Sequence, residues 1–327
     1  QDYSYWSAPV GNGLAGTFPV QSVSPLTPAG YIFKWGTTTA NANGGEGTWV
    51  NTAENMVPAK GYILRAPAGF INTPPGNTLT ANFVGVPNNG VYSPTIFRGN
   101  DYGGVGLQGM PRTDTDDNWN LVGNPYPSAI SVNEFLVANA DIQGFVKIWT
   151  HGQLPTNATS PFYQNYSSNY YPNDYITINA TGATSGALGD YRIGSGQGFM
   201  VLMNPGAPGS STVTFNNAMR SATFANTSFY KNANATAVVE QHRIWLDLVT
   251  PTGSVNRTLV GYVAGATQAE DRLYDAFTDN KPSQNFYSLI GSKPMVIQGR
   301  AVPFDVNDTV PMGVQIPKNG TFFSRAN

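Results

Sequence analysis

Few residues in this chain have the types and spacing that chemistry requires. Asp114, Asp116 and Asn118 alternate in Asp114-Thr-Asp-Asp-Asn118, so their side-chain oxygens can converge on a hard cation such as Ca²⁺. The segment lacks the central glycine and the distant bidentate glutamate of an EF-hand loop, and a solvated linker between units fits it better. Calcium is the one cofactor the sequence offers; otherwise none is expected. A second candidate is the run of Tyr163, Tyr166, Tyr170, Tyr171 and Tyr175 within one polar stretch. Exposed, Tyr166, Tyr170 and Tyr171 would stack on sugar rings; buried, they would pack onto a sheet and bond through their hydroxyls, which is the commoner use of tyrosine.

Other constellations fail on spacing. Gly194-Ser-Gly-Gln-Gly198 has the glycines of a phosphate loop, yet it leads into an apolar strand at Phe199–Met203, with no helix N-terminus to meet a phosphate. Ser195 is not in a Gly-x-Ser-x-Gly elbow, because Ile193 and Gln197 occupy the glycine positions. The two histidines, His151 and His242, fall in different units. Glycosidase chemistry needs two facing carboxylates, and of the five glutamates (Glu46, Glu54, Glu134, Glu240 and Glu270) two read as helix caps. No catalytic residue is expected, and the chain reads as a non-enzyme.

Composition narrows the setting. Only 11% of the 327 residues are charged, against roughly 25% in ordinary globular domains, while 36 glycines and 24 prolines punctuate the chain. Hydrophobic residues at 40% and aromatics at 12% are ample for packed cores. This is the balance of a turn-rich extracellular β protein. Net charge −2 with scattered Lys and Arg gives no basic field, so nucleic acid is not an expected partner. No apolar run approaches the roughly 18 residues of a spanning helix, and with no cysteine there is neither disulfide nor thiolate chemistry. The sequence opens at Gln1 without Met and closes on strand-like residues, which suggests a processed or partial piece.

The elements that must carry any site are organised around Trp119-Asn-Leu-Val-Gly-Asn-Pro-Tyr-Pro-Ser-Ala-Ile130. Leu121 and Val122 make a short strand; Gly123, Pro125 and Pro127 force a corner; and Ser131-x-x-Glu134 ahead of Phe135 and Leu136 is a capping box for a short helix. The aromatic–proline bond Tyr126–Pro127 is expected to be cis. The corner also repeats an earlier one. Tyr3–Val10 aligns with Trp119–Tyr126, Gly30–Trp35 with Gly144–Trp149, Pro58–Leu64 with Ser195–Val201, and Thr78–Phe83 with Ser210–Phe215. Four blocks in one order predict an internal duplication. Tyr62–Leu64 and Phe199–Met203 are continuous apolar runs, as in strands covered on both faces. The insert 152–189 is expected to hold its own hairpin with a strand at Tyr175–Asn179.

A third unit follows the polar link at 226–236. Strands are predicted at Gln241–Val249, Leu259–Val263, Phe286–Ile290, Met295–Gln298 and Val310–Ile316, with a helical turn from a Thr267/Glu270 capping box carrying Leu273 and Phe277. The expectation is an all-β chain of tandem antiparallel β-sandwich-like domains with a few short helical insertions. It comprises a first copy at 1–112, a second copy with a long insert at 113–237 and a smaller antiparallel sandwich at 238–327.

These motifs carry a resemblance. Residues 119–130, followed by Ile193–Met200, Phe215–Arg220 and Arg243–Leu248, together with Tyr5–Val10, Asp271–Asp275 and Phe286–Ser288, resemble a repeated β region of large secreted surface proteins of Bacteroidota. In those proteins the region precedes a C-terminal sorting domain read by the type IX secretion system; the resemblance implies such a domain after Asn327, either cleaved or outside the given piece. The resemblance implies export to the cell surface or medium through that machinery, and a structural or adhesive role without catalytic residues. Other copies, other surface proteins or extracellular polysaccharide are the partners it leaves open, and a carbohydrate-binding accessory region of a secreted hydrolase is the alternative role. Self-association, if present, would use exposed edge strands.

Overall fold

The computed structural model describes residues 3–11, 17–70, 79–107, 109, 112–113, 116–150, 174–185, 191–224, 242–251, 255–278, 285–316 and 320–326. In chain order the first unit contributes β1 (Tyr3–Trp6), β2 (Val10–Gly11), β3 (Ile32–Ala40), β4 (Glu46–Asn51), β5 (Tyr62–Arg65), β6 (Val86–Pro87) and β7 (Thr95–Phe97). The second contributes β8 (Trp119–Gly123), β9 (Ile130–Ser131), α1 (Val132–Ala138), β10 (Ile142–Trp149), β11 (Tyr175–Ile178), β12 (Arg192–Ile193), β13 (Gly198–Met203) and β14 (Ser210–Thr212). The third contributes β15 (Arg243–Val249), β16 (Val255–Tyr262), β17 (Ala276–Phe277), β18 (Asn285–Ile290), β19 (Lys293–Arg300), β20 (Met312–Gln315) and β21 (Phe323–Ala326). The fold is all-β with one short α-helix among the described residues, as composition and strand patterning predict.

The duplication is present in topology and in register. The first sheet has the order β1-β5-β3-β4 and the second β8-β13-β10-β11, which is the same arrangement strand for strand. Tyr5 opposes Ile63 where Leu121 opposes Met200; Phe33 opposes Ile63 where Lys147 opposes Met200; Trp35 opposes Trp49 where Trp149 opposes Tyr175. The fourth aligned block differs. Residues 79–83 form no strand, although Ser210–Thr212 do. Ala81 and Phe83 still pack on the first core, with Phe83 5.0 Å from Phe18. The shared pattern therefore marks core positions there and not backbone pairing.

The two sheets face each other. Behind the first lies a core of Phe18, Ile32, Met56, Tyr62 and Leu64; behind the second lies a larger one around Phe135, Phe145's neighbour Val146, Phe199, Val201 and Phe215. Between them the opposite faces of both sheets meet in an aromatic layer of Tyr3, Tyr5, Trp35, Trp49, Trp119, Trp149 and Tyr175. Period-two alternation puts Tyr62 and Leu64 into one core and Ile63 into the other, so the apolar runs are covered on both faces. Equivalent pairs repeat their geometry: Trp35–Trp49 and Trp149–Tyr175 are both edge-on at 4.8 Å.

Reciprocal backbone contacts join the sheets. Ser7 N–H donates to Gly196 O (2.7 Å), and its counterpart Gly123 N–H donates to Ala59 O (2.9 Å). Trp6 bridges to Gln197 as Val122 bridges to Lys60. Ala59 and Gly196, equivalent positions in the two copies, share a left-handed backbone with φ of 69° and 64°. The arrangement is an isologous contact, in which patch i meets j and j meets i, built inside one chain.

The corner at 123–130 is set by a side chain. Asn124 Oδ1 accepts from Tyr126 N (3.0 Å), and its Nδ2 donates to Ser128 O (2.8 Å) and Gly194 O (2.9 Å). With this Asx turn in place Tyr126–Pro127 is trans, against expectation; the cis bond among the described residues is Val302–Pro303. Ser131 caps α1 as predicted, its side chain accepting from Glu134 N. The contacts also cross the expected division at 112/113, since β7 pairs with β14 and Ile96 is buried in the second core.

The third unit is one seven-stranded sheet, ordered β20-β18-β19-β16-β15-β21 with β17 beside β19. It departs from the expected antiparallel sandwich in that β16 and β19 run parallel. The expected helix at Thr267–Phe277 is absent. Asp271 takes the Thr267 N–H (2.5 Å) and Asp275 takes the Asp271 N–H (2.6 Å), so side chains bend the segment into turns, while Ala276 and Phe277 pair with β19.

Ser7 and Gly123 meet at the centre of the reciprocal contact, where a methyl on Gly123 would collide with Ser7 Cβ. Gly123→Ala is expected to cost about 2 kcal/mol by overpacking, and adding Ser7→Gly is expected to recover part of that loss. Denaturant unfolding of the four members of the cycle measures the coupling.

Candidate functional site

The acidic segment before β8 acts on the backbone around it. Asp116–Asn118 form one 3-10 turn. Asn118, with no exposed surface, accepts the Gly99 N–H at 3.1 Å, and Asp117 accepts the Glu46 N–H at 2.5 Å. Glu46 in turn accepts from the Asn100 N–H and Nδ2, each at 2.8 Å. Of the three candidate calcium ligands, Asp114 lies outside the described residues, Asp116 opens the turn and Asn118 directs its oxygen to Gly99. Among the described residues no group of three or more metal-ligating side chains occurs.

Immediately after it, Trp119 and Asn120 fasten the second unit to the first. Trp119 O accepts from Trp35 Nε1 and from Thr37 Oγ1, both at 2.7 Å. Asn120 Oδ1 accepts from Phe97 N (2.9 Å) and Thr37 Oγ1 (3.1 Å), and its Nδ2 donates to Phe97 O (2.7 Å) and Asn118 O (3.0 Å). All four hydrogen-bonding capacities of this buried amide are filled.

Tyr163, Tyr166, Tyr170 and Tyr171, and with them His151, lie outside the described residues. Tyr175 is half-buried on β11, where its hydroxyl meets that of Tyr5 and its ring packs on Trp149. Ser195 donates to Tyr126 O (3.0 Å), and the glycine loop around it closes on Gln197, which accepts the Gly194 N–H (2.9 Å) before β13 begins. His242 precedes β15 with φ of 74°, exposed, its carbonyl accepting from Tyr262 N (2.8 Å). Glu54 pairs with Lys34 and accepts from the Tyr62 hydroxyl (3.0 Å); Glu270 pairs with Lys293.

The densest charge chemistry lies in the third unit, where sequence reading placed no site. Asp247, fully buried, accepts from Arg257 Nε (2.5 Å) and Nη2 (2.8 Å) and from Arg325 Nε (3.1 Å). Arg300 holds Asp308, which also accepts from the Tyr262 hydroxyl (2.8 Å), and this guanidinium keeps the Asp308 carboxyl below its usual range. Arg272 reaches into the second unit and donates to Leu136 O (2.9 Å) and Ile142 O (2.9 Å). Beside it Asp275 accepts from Gly299 N (2.8 Å) and Asp271 N (2.6 Å). Burial pushes the Asp275 carboxyl up to about 6 from 3.8, with the charges of Asp271 and Glu270 adding to the effect. The one signal for this locus in the sequence is the Asp271-Arg-Leu-Tyr-Asp275 motif.

Two outcomes follow from these placements. Asn118→Ala leaves the Gly99 N–H without its side-chain acceptor and is expected to destabilise the chain by about 2 kcal/mol, equally in calcium and in EDTA; melting curves under both conditions check it. Because Asp275 binds its proton more tightly folded than unfolded, its protonation favours the fold at low pH, and that advantage is lost as pH rises through about 6. Relative to Asp275→Asn, the wild-type melting temperature is therefore expected to gain as pH falls from about 7 to about 4.5.

No curated protein and no solved structure matches the chain. A family model described as a domain of unknown function (DUF8693) matches residues 1–325. A single model thus runs through the three large sheets and the contacts that join them, and the chain belongs to the DUF8693 family.

Proposed function

We propose that this chain is a non-catalytic structural or adhesive segment of a secreted, cell-surface bacterial protein exported by the type IX secretion system. One observation carries the structural part of the reading: among the described residues, the polar groups that could have served chemistry are engaged in joining units or in bracing a single one. Asn118, Asn120 and Asp117 tie the first unit to the second, Arg272 ties the third to the second, and Asp247 and Asp308 are held by arginines within the third sheet. A low-charge chain whose side chains brace its own sheets suits a load-bearing or displayed module. The export route is supported by the resemblance of residues 119–130, 193–200, 215–220 and 243–248 to secreted Bacteroidota surface proteins.

The test is to follow the full-length gene product in a Bacteroidota host with and without a working type IX system. Surface or medium accumulation that depends on that system is the expected result, and retention in both strains, or release in both, would reject the route. Binding of the purified chain to extracellular polysaccharide that is lost on replacing Tyr170 and Tyr171 would move the reading to a carbohydrate-binding accessory region.

A further inference from the structure

Among the described residues the third sheet ends at β20, and this exposed edge differs from those at β4 and β21. Met312, Val314 and Ile316 recur at every second residue, so they share one face, and they are 36%, 50% and 40% exposed. No charged residue occurs between Asp308 and Lys318. Exposed edge strands are ordinarily guarded by charge, a bulge or a cover. At the opposite edge of the same sheet β21 carries Arg325, held by Asp247, and the edge strand β4 carries Glu46.

The backbone of this edge is arranged for a partner. Leu289 N–H donates to Pro311 O (2.9 Å), which fixes Leu289 and Pro311 as a hydrogen-bonded pair. In an antiparallel ladder such pairs alternate with non-bonded ones, so Gly313 and Gln315 turn their groups to β18, while Met312 and Val314 turn theirs outward. Ile316 lies one residue past β20, at the position that this alternation turns outward once the strand is extended. Pro311, the residue lacking an N–H, sits at an inward position and removes nothing from the outer edge.

We infer that β20 is a self-pairing edge: two copies of the chain join β20 to β20, antiparallel about a two-fold axis through Val314, and continue the sheet from one molecule into the next. In that register Val314 opposes Val314 and Met312 opposes Ile316 of the second copy. Every outward N–H and C=O of the three residues then finds a partner, and the three exposed side chains of each edge cover those of the other. A charge-free, apolar strand is its own complement, whereas a strand of like charges would repel itself. The pairing is independent of the export route, so either can fail without the other.

Light scattering coupled to size-exclusion chromatography over a concentration series is the first measurement. The expected result is a species of twice the 35.0 kDa chain mass that grows with concentration, and its conversion to the single-chain mass by Val314→Lys with the melting temperature unchanged. The second measurement uses the absence of cysteine in the chain. Directly opposed antiparallel residues lie within disulfide reach, so Val314→Cys is expected to give about ten-fold more disulfide-linked dimer than Val306→Cys, a control at a position that is 83% exposed in the preceding loop. A single-chain mass at every concentration overturns the inference. So does a dimer that persists in Val314→Lys without preferential cross-linking at position 314, which would place the contact elsewhere. If Val314→Lys fails to fold, the cross-linking comparison decides alone.

Discussion

The structure depends on two backbone hydrogen bonds that are copies of one another, Ser7 N–H to Gly196 O and Gly123 N–H to Ala59 O. Each takes the end of one sheet's outer strand and attaches it to the turn that opens the other sheet's central strand. Both donors and both acceptors lie among buried residues, and leaving any of them unpaired would cost about 1–3 kcal/mol. The geometry dictates residue types on both sides. A side chain at Gly61 would collide with Leu121, and one at Gly198 would press on Tyr5 and Trp6, so the turns run Ala-Lys-Gly and Gly-Gln-Gly into their strands. The left-handed turn residue is glycine in the second copy; in the first copy Ala59 adopts the same φ at some cost in strain.

Once the sheets are held face to face, their inner surfaces must be filled, and rings fill them. Tyr5 stacks on Trp149 at 6.1 Å with the planes 12° apart, and Trp35 donates through Nε1 to Trp119 O across the junction. A homodimer of single units would place identical residues on the axis. Duplication within one chain removes that constraint, and the two halves have diverged where symmetry would be costly. Ser7 and Gly123 occupy equivalent positions in contact, and two serines there would clash. Where the first copy has Phe33 the second has Lys147, which is buried on the same layer and lies 4.8 Å from the Trp119 ring in a cation–π contact.

What the sequence discloses is what short-range physics determines. The side-chain cap at Ser131, the corner at Asn124–Pro127 and the alternating strands of the third unit are each fixed by residues within a few positions, and each forms where the pattern puts it. Three of the four repeated blocks pair in the same register because the apolar period and the closing tryptophans specify both face and length. The misses are of two kinds, local competition and distant partners. Thr267–Phe277 has a helical pattern, but the Asp275 side chain accepts the Asp271 N–H that a helix would have used, and β19 claims Ala276. Asn124 Nδ2 also donates to Ile193 O, 69 positions away, and Asn118 accepts from Gly99, 19 positions away, so the occupied amides could not be read from spacing. Asp247 and Arg257 are ten residues apart on adjacent strands, a pair visible only once the register is known.

The third unit is bound to the second by a device that explains an oddity of α1. A helix C-terminus leaves carbonyls without intrahelical donors and carries partial negative charge, and a basic residue in the last turn commonly answers both. This helix has none. Arg272 supplies the charge from the third unit, donating to Leu136 O of the helix and to Asn139 O and Ile142 O just beyond it. Burial lowers the affinity of this guanidinium for its proton, yet arginine starts so high that it stays charged, which lysine at the same depth would not assure. Gly144 completes the junction from the other side, since a side chain there would overlap the Arg272 carbonyl. Asn139 caps the helix from within the second unit, its N–H donating to Leu136 O and its Nδ2 to Phe135 O (2.8 Å); docking adds Arg272 on three carbonyls, so undocking would give up those three hydrogen bonds and the charge at the helix end together. The neighbouring unit thus completes a helix end that the second unit already caps in part, and the family model, which matches residues 1–325, spans both sides of that junction.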